Sequence, residues 1–159
     1  MPVPPTAVLR SHPLRWQAGR PIPCPTLDWL VDPTLHRLVA DLERRGGVRD
    51  AERWVLAEPG RLAAVRDAHQ RYANRRQCLL DAADWATLRA HGLEGCFNGL
   101  GVAGIRAASN GVKCLHAHLA HHLVEGNPVG AWVQERLGPT GSRSATAPAG
   151  SARSASVRL

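Results

Sequence analysis

Between Gly111 and Leu123, read GVKCLHAHLAHHL, one cysteine and four histidines fall within nine positions. Sulfur and imidazole at this density suit a zinc-like ion or an activated thiol. The spacing predicts a helix with Asn110 as N-cap. At about 100° per residue, with Cys114 at zero, His118 falls at about +40°, His121 at about −20° and His122 at about +80°. Cys114, His118 and His121 thus share one stripe, and Val112, Leu115, Leu119 and Leu123 form the opposite, apolar side. Glu125, at about +20°, joins the polar stripe as a candidate acid or base, whereas His116, at about 200°, flanks the apolar face.

Three ligands on one helix leave a fourth position for water or for a residue of another segment. Cys24, Asp32 and Cys96 are the candidates, each in a loop or at a helix start. Thiol chemistry has its own argument. In the first turn of such a helix, Cys114 would feel the helix dipole, Lys113 and a protonated histidine, all of which lower a thiol pKa. His118 and His122 have the i, i+4 spacing of a zinc-protease helix, but Leu119 stands where that motif requires glutamate.

Gly99 to Gly104, GLGVAG, matches GxGxxG in form, and its amides could hold a phosphate. No strand precedes it and no βαβ pattern surrounds it, which argues against a dinucleotide site. A loop packed close to the Cys/His helix, with Arg106 or Lys113 facing an anion, fits better.

The elements that must position these groups are mainly helical. The 159 residues are long enough for one domain with its own core. Prolines at 2, 4, 5, 13, 21, 23 and 25 predict an extended arm over residues 1–20, tied down by Trp16. A single helical domain over 21–137 follows. Its first helix takes Asp32 as N-cap and Pro33 at N1, buries Leu35, Leu38, Val39 and Leu42, and stops at Gly46 and Gly47. A short helix over 51–57 and a longer one over 60–80 come next, the latter with Leu62, Val65, Ala68 and Tyr72 at helical spacing. Asp81 opens a further helix that Gly92 ends. A glycine-rich loop over 92–110 leads to the Cys/His helix, which stops at Gly126, and a last helix over 130–137 carries Trp132. The low-complexity residues 138–159 predict a disordered tail.

Four cysteines without paired short spacings read as reduced thiols, and no apolar run is long enough for a membrane span. A cytoplasmic protein is expected. The formal charge of +7 invites a nucleic-acid partner, but Arg143, Arg153 and Arg158 in the tail supply three of those charges. The pairs Arg44 with Arg45 and Arg75 with Arg76 read as solvated helix faces, and only Tyr72 is near them for base stacking. With 19 arginines to one lysine, the composition carries the bias of a GC-rich coding sequence. Phe, Ile, Met, Asn, Lys and Tyr, which that bias discourages, number ten, and six of them lie between Phe97 and Asn127.

PTLDWLVDPTL, an LE-x-x-GG helix end, GVAGI, VKCLHAHLAHHL and NPVG, taken in that order, resemble the bacterial domain of unknown function 501 family over Pro21 to Leu137. The resemblance covers Lys113, Cys114, His116, His121, Asn127, Pro128 and Gly130, and implies a cytoplasmic bacterial protein without an assigned reaction. Members of the family often read TCP where this chain has Val31, Asp32 and Pro33, so Asp32 replaces a family cysteine. Helix geometry favours His118 as the assisting ligand and the resemblance favours His116. The leading expectation is a zinc-like ion on Cys114 and His121, assisted by His118 or His116. A small hydrolase of phosphorylated or acyl substrates, working by metal-bound water or by Cys114 with Glu125 or Lys113, is the alternative. An interaction module for nucleic acid or protein, built on the arm and tail, is the third.

Overall fold

The computed structural model describes residues 7–138. Among these residues the chain forms six α-helices and four short strands, so it is helix-rich without being purely helical. The expected extended arm is the main correction. Residues 8–30 are extended, but they are paired into two antiparallel two-stranded sheets, β1 (Val8–Arg10) with β4 (Asp28–Leu30), and β2 (Leu14–Gln17) with β3 (Arg20–Pro23). Ala18 and Gly19, with φ of 49° and 74°, turn the β2–β3 hairpin. Two successive positive φ values give a two-residue turn whose twist matches the flanking strands. Pro21 and Pro23 fit because each sheet has only two strands, and every strand in it keeps one edge without a ladder partner. Trp16 is 61% exposed and anchors nothing.

The helical part follows the local signals closely. α1 (Pro33–Arg44) starts at Asp32, whose Oδ1 accepts from the Leu35 amide at 2.8 Å. α2 (Gly47–Leu56) begins earlier than the spacing suggested, and α3 (Pro59–Leu79) is the longest helix. α4 (Ala82–Ala90) opens on a reciprocal capping box between Asp81 and Asp84. A glycine-rich loop with a single 3₁₀ turn at Val102–Gly104 leads to α5 (Leu115–Glu125), and α6 (Pro128–Leu137) closes the described chain. The expected disordered tail lies outside the described residues from 139 onward.

Helix α5 sits centrally, against α6, β4, α1 and β1. Its Leu115 and Leu119 join Val39, Val55, Val129 and Trp132 in the main core. The close approach of α6 depends on Gly130, where a Cβ would run into the carbonyl oxygen of His118 and the Cβ of His122. Gly130→Ala is therefore expected to cost about 1–3 kcal/mol of unfolding free energy, the usual range for overpacking a tight contact. Urea denaturation measures it, and an unchanged midpoint would contradict the packing described.

Candidate metal and thiol centre

The sequence stripe does not hold together, because α5 starts later than expected. Asn110 is not its N-cap. Cys114 is, with extended backbone at φ −130° and ψ 115°, and so it lies outside the helical wheel that placed it beside His118 and His121. Acidic side chains from other helices take up the amides in this region. Glu52 Oε1 of α2 accepts from the Val112 amide at 3.1 Å, and Glu43 Oε1 of α1 accepts from the Leu115 amide at 2.7 Å. Glu43 thus replaces a local cap and satisfies an otherwise orphaned helix amide.

The same carboxylate brings Cys114 together with His116. Glu43, Cys114 and His116 each offer one ligand atom within 4.8 Å of the others, and among the described residues no other group of three or more His, Cys, Asp or Glu converges so closely. All three are half-buried. His116 Nε2 donates to the His36 carbonyl at 3.0 Å, and its Nδ1 lies 3.2 Å from Glu43 Oε1. The His36 ring packs on it at 4.3 Å between centroids. Both nitrogens of His116 therefore face acceptors. The neighbouring Cys114 sulfur raises the imidazole, burial lowers it, and the His36 carbonyl and Glu43 add to the rise, leaving its pKa at about 9. Burial pushes the Cys114 thiol up, but His116 and the Ala117 amide outweigh it, so the thiol lies below its ordinary value. Each group is thus shifted toward its charged form by the other.

His118 and His121 belong to a different, buried network with Asn127 at its centre. Asn127 Nδ2 donates to His121 Nδ1 at 3.0 Å, and its Oδ1 accepts from His118 Nδ1 at 3.2 Å and from the Gly130 amide at 3.0 Å. These partners set the tautomers. His121 carries its proton on Nε2 and gives it to Glu125 Oε1 at 2.7 Å, while His118 carries its proton on Nδ1. Beside them, His69 Nδ1 accepts from the Val102 amide at 3.0 Å. Glu125 Oε2 and Asp28 Oδ2 both bind Arg75, which is no solvated surface group. Glu125 itself sits below its ordinary pKa, since His121 and Arg75 outweigh its partial burial.

The other candidates are scattered. Cys24 is buried by the β3 strand, and Cys96 belongs to a separate cluster with Leu88 and Phe97. Asp32 is committed to capping α1. None joins Cys114; the acidic group that does is Glu43. Lys113 is exposed. All four cysteines are free thiols. The glycine loop is an internal brace: Gly101 packs against His69, and the Leu100 and Gly101 carbonyls accept from Arg76. Arg44, Arg53, Arg61 and Arg71 each pair with an acid three or four residues before them in their own helix or at its start. No helix among the described residues is long and apolar enough to cross a membrane.

Glu43 and His69 were both missed by reading the sequence. Glu43 looks like any exposed helix acid, and His69 like one polar residue beside an apolar stripe. Neither carries a local motif, since each acts on a segment far along the chain.

Among known proteins, no curated protein and no solved structure matches this chain. The family model described as a protein of unknown function, DUF501, matches residues 3–135. That match spans both sheets and nearly all of the six helices, and the chain therefore belongs to the DUF501 family.

Proposed function

We propose that the chain binds a zinc-like divalent ion through Cys114, His116 and Glu43, with a fourth position open to water or a substrate atom. The observation that carries this reading is the convergence of one sulfur, one imidazole nitrogen and one carboxylate oxygen from α1 and the start of α5. Bonds of about 2.0–2.3 Å set tetrahedral zinc ligands about 3.3–3.8 Å apart, and His116 Nδ1 and Glu43 Oε1 already lie 3.2 Å apart. His116 supports the role through its other nitrogen. A ligating histidine ordinarily donates its second N–H to a carbonyl or carboxylate, and Nε2 donates to the His36 carbonyl. Binding would release the Nδ1 proton and draw on the thiolate already favoured at Cys114. His121 and His118, first expected as ligands, each have Nδ1 engaged by Asn127.

Metal analysis of tag-free protein tests the reading. About one zinc per chain is expected in the wild type, with zinc affinity falling at least tenfold in Cys114→Ser and in His116→Ala, about 1.4 kcal/mol or more for each lost ligand. Zinc should also protect Cys114 from alkylation while leaving the exposed Cys78 reactive. Absence of stoichiometric metal after zinc addition, or zinc retained in Cys114→Ser, would overturn it.

A second reading rests on the ion pair itself. Without metal, a lowered thiol beside an imidazolium is a competent nucleophile, and a small hydrolase using Cys114 would place its substrate at this half-buried edge. Alkylation of Cys114 no faster than that of Cys78 in metal-free protein would remove that reading.

A further inference from the structure

Where the end of α5 meets β1, β4 and α3, a cleft of about 350 Å³ opens, sharing no residue with Glu43, Cys114 or His116. Most of its polar lining is already engaged. Ser11 Oγ donates to the Thr26 carbonyl at 2.8 Å, and His12 Nε2 donates to the Leu79 carbonyl at 3.0 Å. Arg75 bridges Asp28 and Glu125, and Glu125 also holds His121. Two lining groups are left over. Asp28 is 2% exposed, and its Oδ1 has no hydrogen-bond partner. Arg10 is exposed and enters no ion pair among the described residues, although it lies directly opposite Asp28 in the β1–β4 register.

The charge balance defines what would fit. Asp28, Glu125 and Arg75 together carry one uncompensated negative charge, and the acceptor left without a partner is the buried Asp28 Oδ1. A buried acceptor without a donor is costly, and in native proteins such an atom ordinarily has a partner. Arg10 supplies the single opposite charge, in a planar fork suited to a carboxylate. A cleft that is neutral overall but offers both signs is complementary to a zwitterion. Leu27, Leu79 and Val124 make the remaining wall apolar, and the volume lies at the small end of ligand pockets.

We propose that this cleft binds a free α-amino acid with an apolar side chain. Its ammonium group donates to Asp28 Oδ1, its carboxylate pairs with the Arg10 guanidinium, and its side chain packs on Leu27, Leu79 and Val124.

Calorimetric titration of the full chain with L-leucine, N-acetyl-L-leucine and L-leucinamide tests the assignment. L-leucine should saturate one site. The acetylated compound lacks the ammonium and the amide lacks the carboxylate, so each should bind at least tenfold more weakly. Arg10→Ala and Asp28→Asn should each weaken L-leucine binding at least tenfold, and R10A, whose side chain is exposed and unpaired, keeps the test independent of any effect of D28N on folding. No saturable binding of L-leucine at millimolar concentration would overturn the proposal. So would equal affinity for either derivative, or an unchanged affinity in R10A.

Discussion

Arg76→Leu is expected to lower the unfolding free energy by about 3–5 kcal/mol, as breaking a buried charged network does. Arg76 is fully buried and forms no ion pair among the described residues. Instead its Nε and Nη2 donate to the Pro25 carbonyl at 2.9 and 2.6 Å, Nη1 donates to the Leu100 carbonyl at 2.6 Å, and Nη2 reaches the Gly101 carbonyl at 3.4 Å. Tyr72 and Phe97 lie against the guanidinium, with their ring centroids 5.2 and 5.5 Å from its carbon. Burial lowers the pKa of the guanidinium, partly offset by Tyr72, yet an arginine starts so high that it stays charged. Leucine would fill much of the space and leave three carbonyls without donors. One side chain thus joins the segment before β4 to the glycine loop. Arg44→Leu, which removes an exposed partner of Asp41, should change stability by about 0.5 kcal/mol or less. Urea midpoints compare the two, and similar small effects would contradict the brace.

Acidification from pH 7 to pH 4.5 should destabilise the protein by several kcal/mol, with most of the loss beginning below about pH 6.5. The cause is the buried histidine group. Burial, and then His121, pushes His69 down to about 4. Burial, then His69, pushes His118 down to about 3, against the opposing effect of the hydrogen bond it donates to Asn127. Burial also lowers His121, although Glu125 opposes it. The folded protein holds these rings neutral, while the unfolded chain protonates them near 6.5. Below that pH the unfolded state binds more protons, so stability falls as pH falls, and above it the full contribution is present. For His69 alone, about 1.4 kcal/mol per pKa unit gives a loss of about 3 kcal/mol by pH 4. The three rings titrate as a coupled group, so the slope with pH belongs to the cluster. Denaturant midpoints measured across this range check the sign, and stability independent of pH between 7 and 5 would contradict it. His69→Asn, whose side-chain oxygen can accept from the Val102 amide, should flatten the slope.

Helix boundaries with local caps were legible in the sequence. Asp32 with Pro33 opens α1, Asp81 opens α4, and Gly126 stops α5. Asn127 caps α6 and holds two histidines at once, roles that its place after Gly126 does not announce. The start of α5 was not legible, since Glu43 reaches its first amide and Glu52 the Val112 amide before it, both from other helices, and a local reading looks for a cap within the segment itself. That displacement removed Cys114 from the stripe. His118 and His121 meet through Asn127, and Glu125 joins them through His121, in a hydrogen-bonded network that the helical wheel does not describe. Arg75 and Arg76 look like surface charge in one dimension, but strand β4 and the glycine loop fold over them. The prolines signalled extended chain correctly. Which extended segments would pair depended on the Ala18–Gly19 turn and on contacts with α5, which proline content does not encode.

The central claim is that sulfur and imidazole from the start of α5 share one ion with Glu43. Cobalt(II) substitution reads the sulfur directly, because a thiolate bound to cobalt gives an intense ligand-to-metal charge-transfer absorption that nitrogen and oxygen ligands lack. The wild-type chain should develop that band to saturation at one equivalent of cobalt, with tetrahedral visible bands, and zinc should displace it. Cys114→Ser should abolish the charge-transfer band, and His116→Ala should weaken cobalt binding, while Cys24→Ser and Cys96→Ser leave the spectrum intact. A spectrum of hydrated cobalt with the wild-type chain, or a thiolate band that survives Cys114→Ser, would contradict the account.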